Sequence, residues 1–270
     1  GFWLLSFILL LVNAYLFQLI FEKSYQKIIY IFLIFILIFS YGSLRLDQLS
    51  ELSAEYQLGL ITTNIIQDIK WDHSQVENNS QLMLKAAAEL KEVELIIAPE
   101  TNITFDFGRN SSRKDQLLKE IESRFKVPLQ FGTLSSLNGS EQKYNSSFLI
   151  SAQGEIMQRY NKNRLLYFGE KYPAESLINS LLPYNFSSLK NGKESENFSD
   201  GSLSWKNALC SEILYSDYLL QGAKNADFIV NQTNEAWFQD SKLLKNLMLS
   251  SAILRAVENR RTVVKVGDRK

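Results

Sequence analysis

The 270-residue chain carries 29 basic and 29 acidic side chains, a formal net charge of zero, with one cysteine and one histidine. That balance excludes the global basic field by which a protein gathers nucleic acid, and a lone cysteine excludes an intrachain disulfide. The length suits one or two domains and is ample for a large core.

The charge is unevenly placed. Residues 1–21 hold no Asp, Glu, Lys, Arg or His, and a second uncharged run covers 28–44. As a helix each run is about 25–30 Å long, close to the hydrocarbon thickness of a bilayer. A secretory signal starts basic and ends in a small-residue cleavage site. Neither is present, and two runs rather than one predict two transmembrane helices within residues 1–46. Lys23 and Lys27 lie in the short connection, which the positive-inside tendency places in the cytoplasm, so that the chain after Arg45 emerges on the outer side. The chain opens inside an apolar run without Met and stops at Lys270 soon after a strand-like segment. It therefore reads as the C-terminal part of a larger membrane domain, followed over 57–270 by a domain cut short at its end.

Beyond Arg45, strand and helix signals alternate. Strands are expected over 57–65, 94–100 and 127–135, with helices over 75–93 and 114–125 between them. Segments 144–151 and 156–160 flank Ala152-Gln153-Gly154-Glu155, a hairpin turn. Residues 171–204, rich in Ser, Asn and Gly, read as a long loop whose position suits a lid. Strands follow at 203–210, 227–231 and 262–266, with a helix start at Ser211 and a long helix over 242–260. This interleaving predicts an α/β fold in which helices cover a mostly buried sheet.

Cys210 ends an apolar strand, just before that helix start. There a thiol is open to activation by helix N-terminal amides, and the next backbone N–H can face an oxyanion. A buried core cysteine is the competing reading. Glu100 ends a strand in IIAPET, where Pro99 fixes the turn; Lys162 follows a strand in RYNKNRL; Glu170 lies shortly after, in YFGE. Singly, each reads as a solvated charge. Together they stand at strand ends, where α/β sheets gather active sites. A carboxylate to take the thiol proton, an ammonium to meet the oxyanion and a thiol nucleophile suffice for acyl transfer. His73 sits in a polar segment, so no histidine-based triad is expected. No cluster has metal-ligand spacing, and no glycine-rich phosphate loop appears.

The ordered segments APE, YNKNRLLYFGE, ALCSEI and NQTNEAWF resemble the carbon–nitrogen hydrolase (nitrilase) superfamily over about residues 57–266. Within it, the FGE element, the NEAWF segment and the RAVENRR helix, together with the apolar runs, are most similar to the apolipoprotein N-acyltransferase family. That resemblance implies a four-layer αββα sandwich and a catalytic set of Glu100, Lys162 and Cys210. It further implies supporting roles for Glu170, Glu212 and Asn145, and no metal or cofactor. The implied reaction is ping-pong. Cys210 takes an acyl chain from a phospholipid of the bilayer as a thioester, then passes it to the α-amine of a diacylglyceryl-modified apolipoprotein. The implied location is the bacterial inner membrane, with the catalytic domain on the periplasmic side. Tethering both lipid-anchored substrates and enzyme to one surface raises their effective concentration. Tyr167, Phe168, Trp237 and Phe238 either line an acyl entrance or pack as ordinary loop and core residues. Three departures stand out. Ser211 follows the nucleophile where the family commonly has Tyr, Met248 stands near the place of a usual His, and VKVGDRK replaces a TNTG-like turn. A membrane-bound amidase acting on small C–N substrates and a non-catalytic binding module remain the alternatives.

Overall fold

The computed structural model describes residues 2–47, 56–137, 140–181, 187–193, 197–238 and 241–268. The chain divides into two compact units, 1–55 and 56–270.

In the first unit, α1 (Phe2–Phe21) and α2 (Lys27–Asp47) are apolar around their whole circumference and long enough to cross a membrane, with none of their span buried. A soluble helix hides one stripe; these two hide none. At the connection, the Lys27 ammonium lies 5.4 Å from the ring centres of both Tyr15 and Tyr30.

The second unit holds β1 (Leu58–Leu60), α3 (Gln67–Lys70), α4 (Val76–Ala88), β2 (Leu95–Ile97), α5 (Ser112–Arg124), β3 (Leu129–Ser136), β4 (Lys143–Ile150) and β5 (Ile156–Asn161). It continues through α6 (Glu175–Leu181), β6 (Phe198–Ser199), β7 (Ser204–Leu209), α7 (Ser216–Ala223), β8 (Phe228–Asn234), α8 (Lys242–Asn259) and β9 (Thr262–Asp268). The strands form two sheets, ordered β1-β2-β3-β4-β5 and β6-β7-β8-β9. In the first, β1, β2 and β3 run parallel, with α4 and α5 as crossovers, and β3, β4 and β5 are antiparallel. In the second, β7, β8 and β9 run parallel through α7 and α8, and β6 is an antiparallel edge.

Strand alternation decides the layering. Ile96, Leu129, Phe131, Phe148 and Ile150 turn to one side, where Met83, Leu84 and Ala87 of α4 and Leu117 and Ile121 of α5 cover them. Leu95, Ile97 and Leu149 turn to the other, against Trp205, Leu209 and Val230 of the second sheet, with Leu219, Met248 and Ala252 of α7 and α8 completing that core. Each fully buried Leu, Ile, Val, Phe or Met among them contributes about 1.5–3 kcal/mol. The result is the four-layer αββα sandwich, with two sheets where strand–helix interleaving alone suggested one. Gln130 stitches them: its Nε2 lies 2.8 Å from both Asn207 Oδ1 and Gln232 Oε1, and its Oε1 accepts from Trp205 Nε1 at 2.8 Å.

Three expected elements are corrected. The 57–65 strand shrinks to Leu58–Leu60, because Thr63 and Asn64 give their backbone N–H groups to the Asp268 carboxylate instead of a ladder. The 171–204 loop contains α6 and β6; α6 buries no residue, so no core-facing period marks it in the sequence. Residues 182–186 and 194–196 of that stretch lie outside the described residues. The helix expected from Ser211 is a 3₁₀ turn, Cys210–Leu214, separated from α7 by extended Tyr215.

Candidate active site

β7 delivers Cys210 to the end of its strand, where the backbone turns sharply at φ +47. A non-glycine residue holds that left-handed conformation only when its surroundings enforce it. Asn231 of β8 does so by donating from Nδ2 to the carbonyls of Ala208 (3.1 Å) and Cys210 (3.2 Å). Glu212 does so from the far side, accepting from Leu209 N at 2.8 Å.

Glu100 follows β2 on a turn whose next residue, Thr101, is also left-handed at φ +49. Gly132 of β3 permits this turn. A Cβ there would stand 2.7 Å from Thr101 N and 2.8 Å from Glu100 Cα, both backbone atoms that cannot swing aside. Glu100 is 5% exposed. Its Oε1 accepts from Asn145 Nδ2 at 2.7 Å and its Oε2 from Asn234 N at 2.9 Å.

Lys162, fully buried beyond the end of β5, joins these parts. Its Nζ lies 3.6 Å from Glu100 Oε1 and 2.9 and 2.8 Å from the two oxygens of Glu170. Asn145 Nδ2 also reaches Glu170 Oε1 at 2.7 Å, so one amide ties both carboxylates. Burial works against the Lys162 charge, but Glu100, Cys210 and Glu170 outweigh it and hold the ammonium above its ordinary range. The Cys210 thiol is pushed up as well, first by burial and then by Glu100, against the pull of Lys162 and of the Asn234 N–H. Activation by a helix N-terminus is thereby corrected: Cys210 opens a 3₁₀ turn, and its thiol needs a base. Two carboxyl groups, Glu100 and Glu170, thus flank the one Lys162 ammonium.

Glu212 lies next to this group and is filled. It accepts from Tyr160 OH (2.6 Å), Asn163 N (2.7 Å), Arg164 N (2.9 Å) and Leu209 N. It thus fastens the segment after Lys162 to the elbow of Cys210. Burial raises its carboxyl above the usual range, against the Leu209 N–H, the Lys162 charge and the Tyr160 hydroxyl.

Of the residues singled out in the sequence, Glu100, Asn145, Lys162, Glu170 and Cys210 come together, and Glu212 braces them. Ser211 is buried, with no hydrogen-bond partner for its Oγ among the described residues. Trp237 stands apart, 65% exposed on the 3₁₀ turn Glu235–Phe238 after β8, and Phe168 is 71% exposed at left-handed φ +63 on a tight turn. Sequence reasoning missed Asn231, Asn234 and Gly132. The two asparagines left a signal, since polar residues inside an otherwise apolar buried strand (FIVNQTN) ask for partners. Among the described residues, no three His, Cys, Asp or Glu side chains gather as a metal-binding group.

The family model for carbon–nitrogen hydrolases matches residues 57–268. The chain is 28% identical to the apolipoprotein N-acyltransferase of Haemophilus ducreyi, across 96% of this chain and 55% of that protein. It is 27% identical to that of Geobacter metallireducens, across 98% and 53%. The chain thus spans about half the length of the curated relatives it matches. Among solved structures, an amidase from Nesterenkonia sp. superposes with a TM-score of 0.54 at 18% identity, covering 78% of this chain and 74% of that one. The glutamine-dependent NAD+ synthetase of Acinetobacter baumannii gives 0.56 at 16%, covering 78% and 38%. At those identities the likeness shows the fold, a nitrilase-like α/β sandwich.

Proposed function

The chain belongs to the carbon–nitrogen hydrolase family, and from that premise we propose that it acts as an apolipoprotein N-acyltransferase, carrying an acyl chain from phospholipid to a lipoprotein amine through a thioester on Cys210. The observation that carries this reading is the buried Cys210 at its left-handed elbow, with the buried Glu100 and Lys162 pair, 3.6 Å apart, acting on its thiol. Such a thiol is inert until a base takes its proton, and Glu100 is placed to be that base. Cys210 Sγ attacks the ester carbonyl, and the oxyanion is met by the Lys162 ammonium. Collapse breaks the ester C–O bond, and the proton on Glu100 passes to the departing lysophospholipid oxygen. In the second half, the acceptor amine attacks the thioester, its proton goes to Glu100, and the Cys210 sulfur leaves and is reprotonated. Glu170 and Asn145 hold Lys162 and Glu100 in register, and Glu212 holds the elbow.

The names of the relatives support the lipid donor and lipoprotein acceptor. The two apolar helices support a membrane tether that spans twice within residues 1–46, and the positive-inside tendency of the Lys23–Lys27 connection favours the inner membrane with the 57–270 domain on the periplasmic side. Incubation of the full-length protein with phospholipid vesicles should add one acyl mass to the peptide bearing Cys210. Ser211→Ala should keep that adduct, and Cys210→Ala should lose it. An adduct that persists in Cys210→Ala ends the proposal. The second reading, hydrolysis of small amides, draws on the amidase-like fold. Turnover of butyramide without lipid, with no acyl adduct from phospholipid, would favour it.

A further inference from the structure

The stretch over 171–204, which the sequence reads as a loop suited to a lid, is fastened where it passes the candidate active site. Leu189 N donates to the Glu170 carbonyl and Gly192 N to the Lys162 carbonyl, each at 2.8 Å. Between them Lys190 N donates to Lys143 O, at the start of β4, also at 2.8 Å. Side chains add to the tie: Asn163 Nδ2 donates to Gly192 O at 3.0 Å, and Asn191 Nδ2 to Asn163 O at 2.7 Å. Residues 189–192 therefore form a strap whose two outer anchors are the backbones of one ion pair, Lys162 and Glu170.

Lys162 needs such anchoring. It stands one residue beyond the end of β5, where its N–H reaches Asn145 O at 2.8 Å and the Gly192 N–H supplies the second tie, to its carbonyl. Strand ends fray when few bonds hold them, whereas a group that meets a reacting atom must be held to within about 0.5 Å. Position 192 admits no side chain. A Cβ there would overlap Asn161 O and stand 2.7 Å from Asn161 C, backbone atoms of the last residue of β5. Asn163 carries the fastening onward, because its N–H donates to Glu212 Oε1 at 2.7 Å and Glu212 accepts from Leu209 N at the elbow. Strap, lysine and nucleophile elbow are thus joined by hydrogen bonds throughout.

We propose that residues 189–192 are a positioning strap, with Gly192 its obligatory residue, that holds the Lys162 ammonium where the oxyanion forms. This rests on the acyl-transfer reading only in taking Lys162 as the oxyanion partner. The strap ties backbone carbonyls and reaches Cys210 only through other residues. Its loss should therefore slow a reaction that builds an oxyanion and spare one that does not. Acylation builds one, as Cys210 Sγ adds to a carbonyl carbon. Alkylation by iodoacetamide does not: Sγ displaces iodide at a saturated carbon, and Glu100 takes the thiol proton.

The test compares the two reactions in the full-length, detergent-solubilised protein. One is the acylation burst with saturating p-nitrophenyl butyrate; the other is the rate at which iodoacetamide labels the peptide bearing Cys210. Gly192→Ala should lower the burst by about 10²-fold and leave labelling near the parent rate. Asn191→Ala, which removes one tie made by an exposed residue, should give a smaller fall of the same kind, and it decides the matter if Gly192→Ala does not fold. Equal falls in both reactions make the strap a general brace of the domain and overturn the proposal, as does an unchanged burst. Lys162→Met separates the strap from the reading it rests on. If that variant keeps the burst, the oxyanion role of Lys162 fails and the strap proposal with it. If it loses the burst while Gly192→Ala and Asn191→Ala keep theirs, only the strap fails. A selective fall in a protein that forms no adduct from phospholipid supports the strap and refutes the lipid donor.

Discussion

Two glutamates buried within one polar neighbourhood divide the labour of this domain. Glu212, on the elbow after β7, accepts four hydrogen bonds, three from backbone N–H groups on two separate segments. Glu100, at the end of β2, accepts two and keeps the remainder of its capacity facing Lys162 and Cys210. A carboxylate whose lone pairs are filled by fixed donors is a structural clamp, because protonating it would forfeit those bonds. A carboxylate with spare capacity near a reluctant thiol is free to take its proton, the role we propose for Glu100. Burial does not separate the two roles, since both are nearly or fully inaccessible; the donor count does.

The largest expected effect comes from removing the spare capacity. Glu100→Gln keeps the side chain's size and leaves Asn234 N an acceptor, but it takes away the group that receives the thiol proton. Loss of a general base costs roughly 10²–10⁴-fold. The acylation burst with an activated ester should fall by that range, well beyond the loss of about 1–3 kcal/mol expected from setting the Gln amide donor against Asn145 Nδ2. A variant retaining more than a tenth of the parent rate would place the base elsewhere, with Glu170 the next group to test.

Glu212→Ala should break the other half of the contrast. It strands the N–H groups of Asn163, Arg164 and Leu209 and leaves Tyr160 OH only its Tyr218 partner, each buried unsatisfied donor costing about 1–3 kcal/mol, with incomplete additivity. A net loss of about 3–5 kcal/mol corresponds to roughly 6–20 °C in melting temperature for a domain of this size. Activity should fall with it, because the segment after Lys162 is no longer fastened to the elbow. Glu212→Gln adds a pH signature. Burial raises the folded carboxyl above its unfolded value, so the folded state binds the proton more tightly, and the parent loses stability as pH rises through that window. The glutamine variant should lack that slope. A melting temperature unmoved in Glu212→Ala would show that the four hydrogen bonds do not brace the elbow.

How much of this was legible beforehand follows the range of the interactions. The apolar runs, the hairpin at 152–155 and the helices α5 and α8 are local and appear close to where the sequence puts them, whereas the helix expected over 75–93 ends at Ala88. The residues that the structure gathers around Cys210 were legible as well, because strand ends are where an α/β fold exposes polar side chains. Their division of labour was not. Asn145 ties Glu100 to Glu170 across 45 and 25 residues, and Asn234 reaches Glu100 across 134. No local pattern encodes pairings of that length. The same holds for Lys70 and Asp268, which read in the sequence as two unrelated charges and meet only when β9 closes the second sheet. Nor did local reading show two sheets, since the Gln130 stitch lies in a stretch that alternates as any half-buried strand does.

The smallest effect is the most discriminating, because it lowers the donor count by one without touching a carboxylate. Tyr160→Phe removes the 2.6 Å bond to Glu212 and the hydroxyl contact with Tyr218, while keeping the ring that fills the core. If the clamp role of Glu212 rests on its set of donors, losing one should cost about 1 kcal/mol, or roughly 2–4 °C, with the burst rate nearly unchanged. A large fall in burst rate at so small a cost in stability would mean that the tyrosine acts on the chemistry itself. The tyrosine would then belong with Glu100 rather than with Glu212.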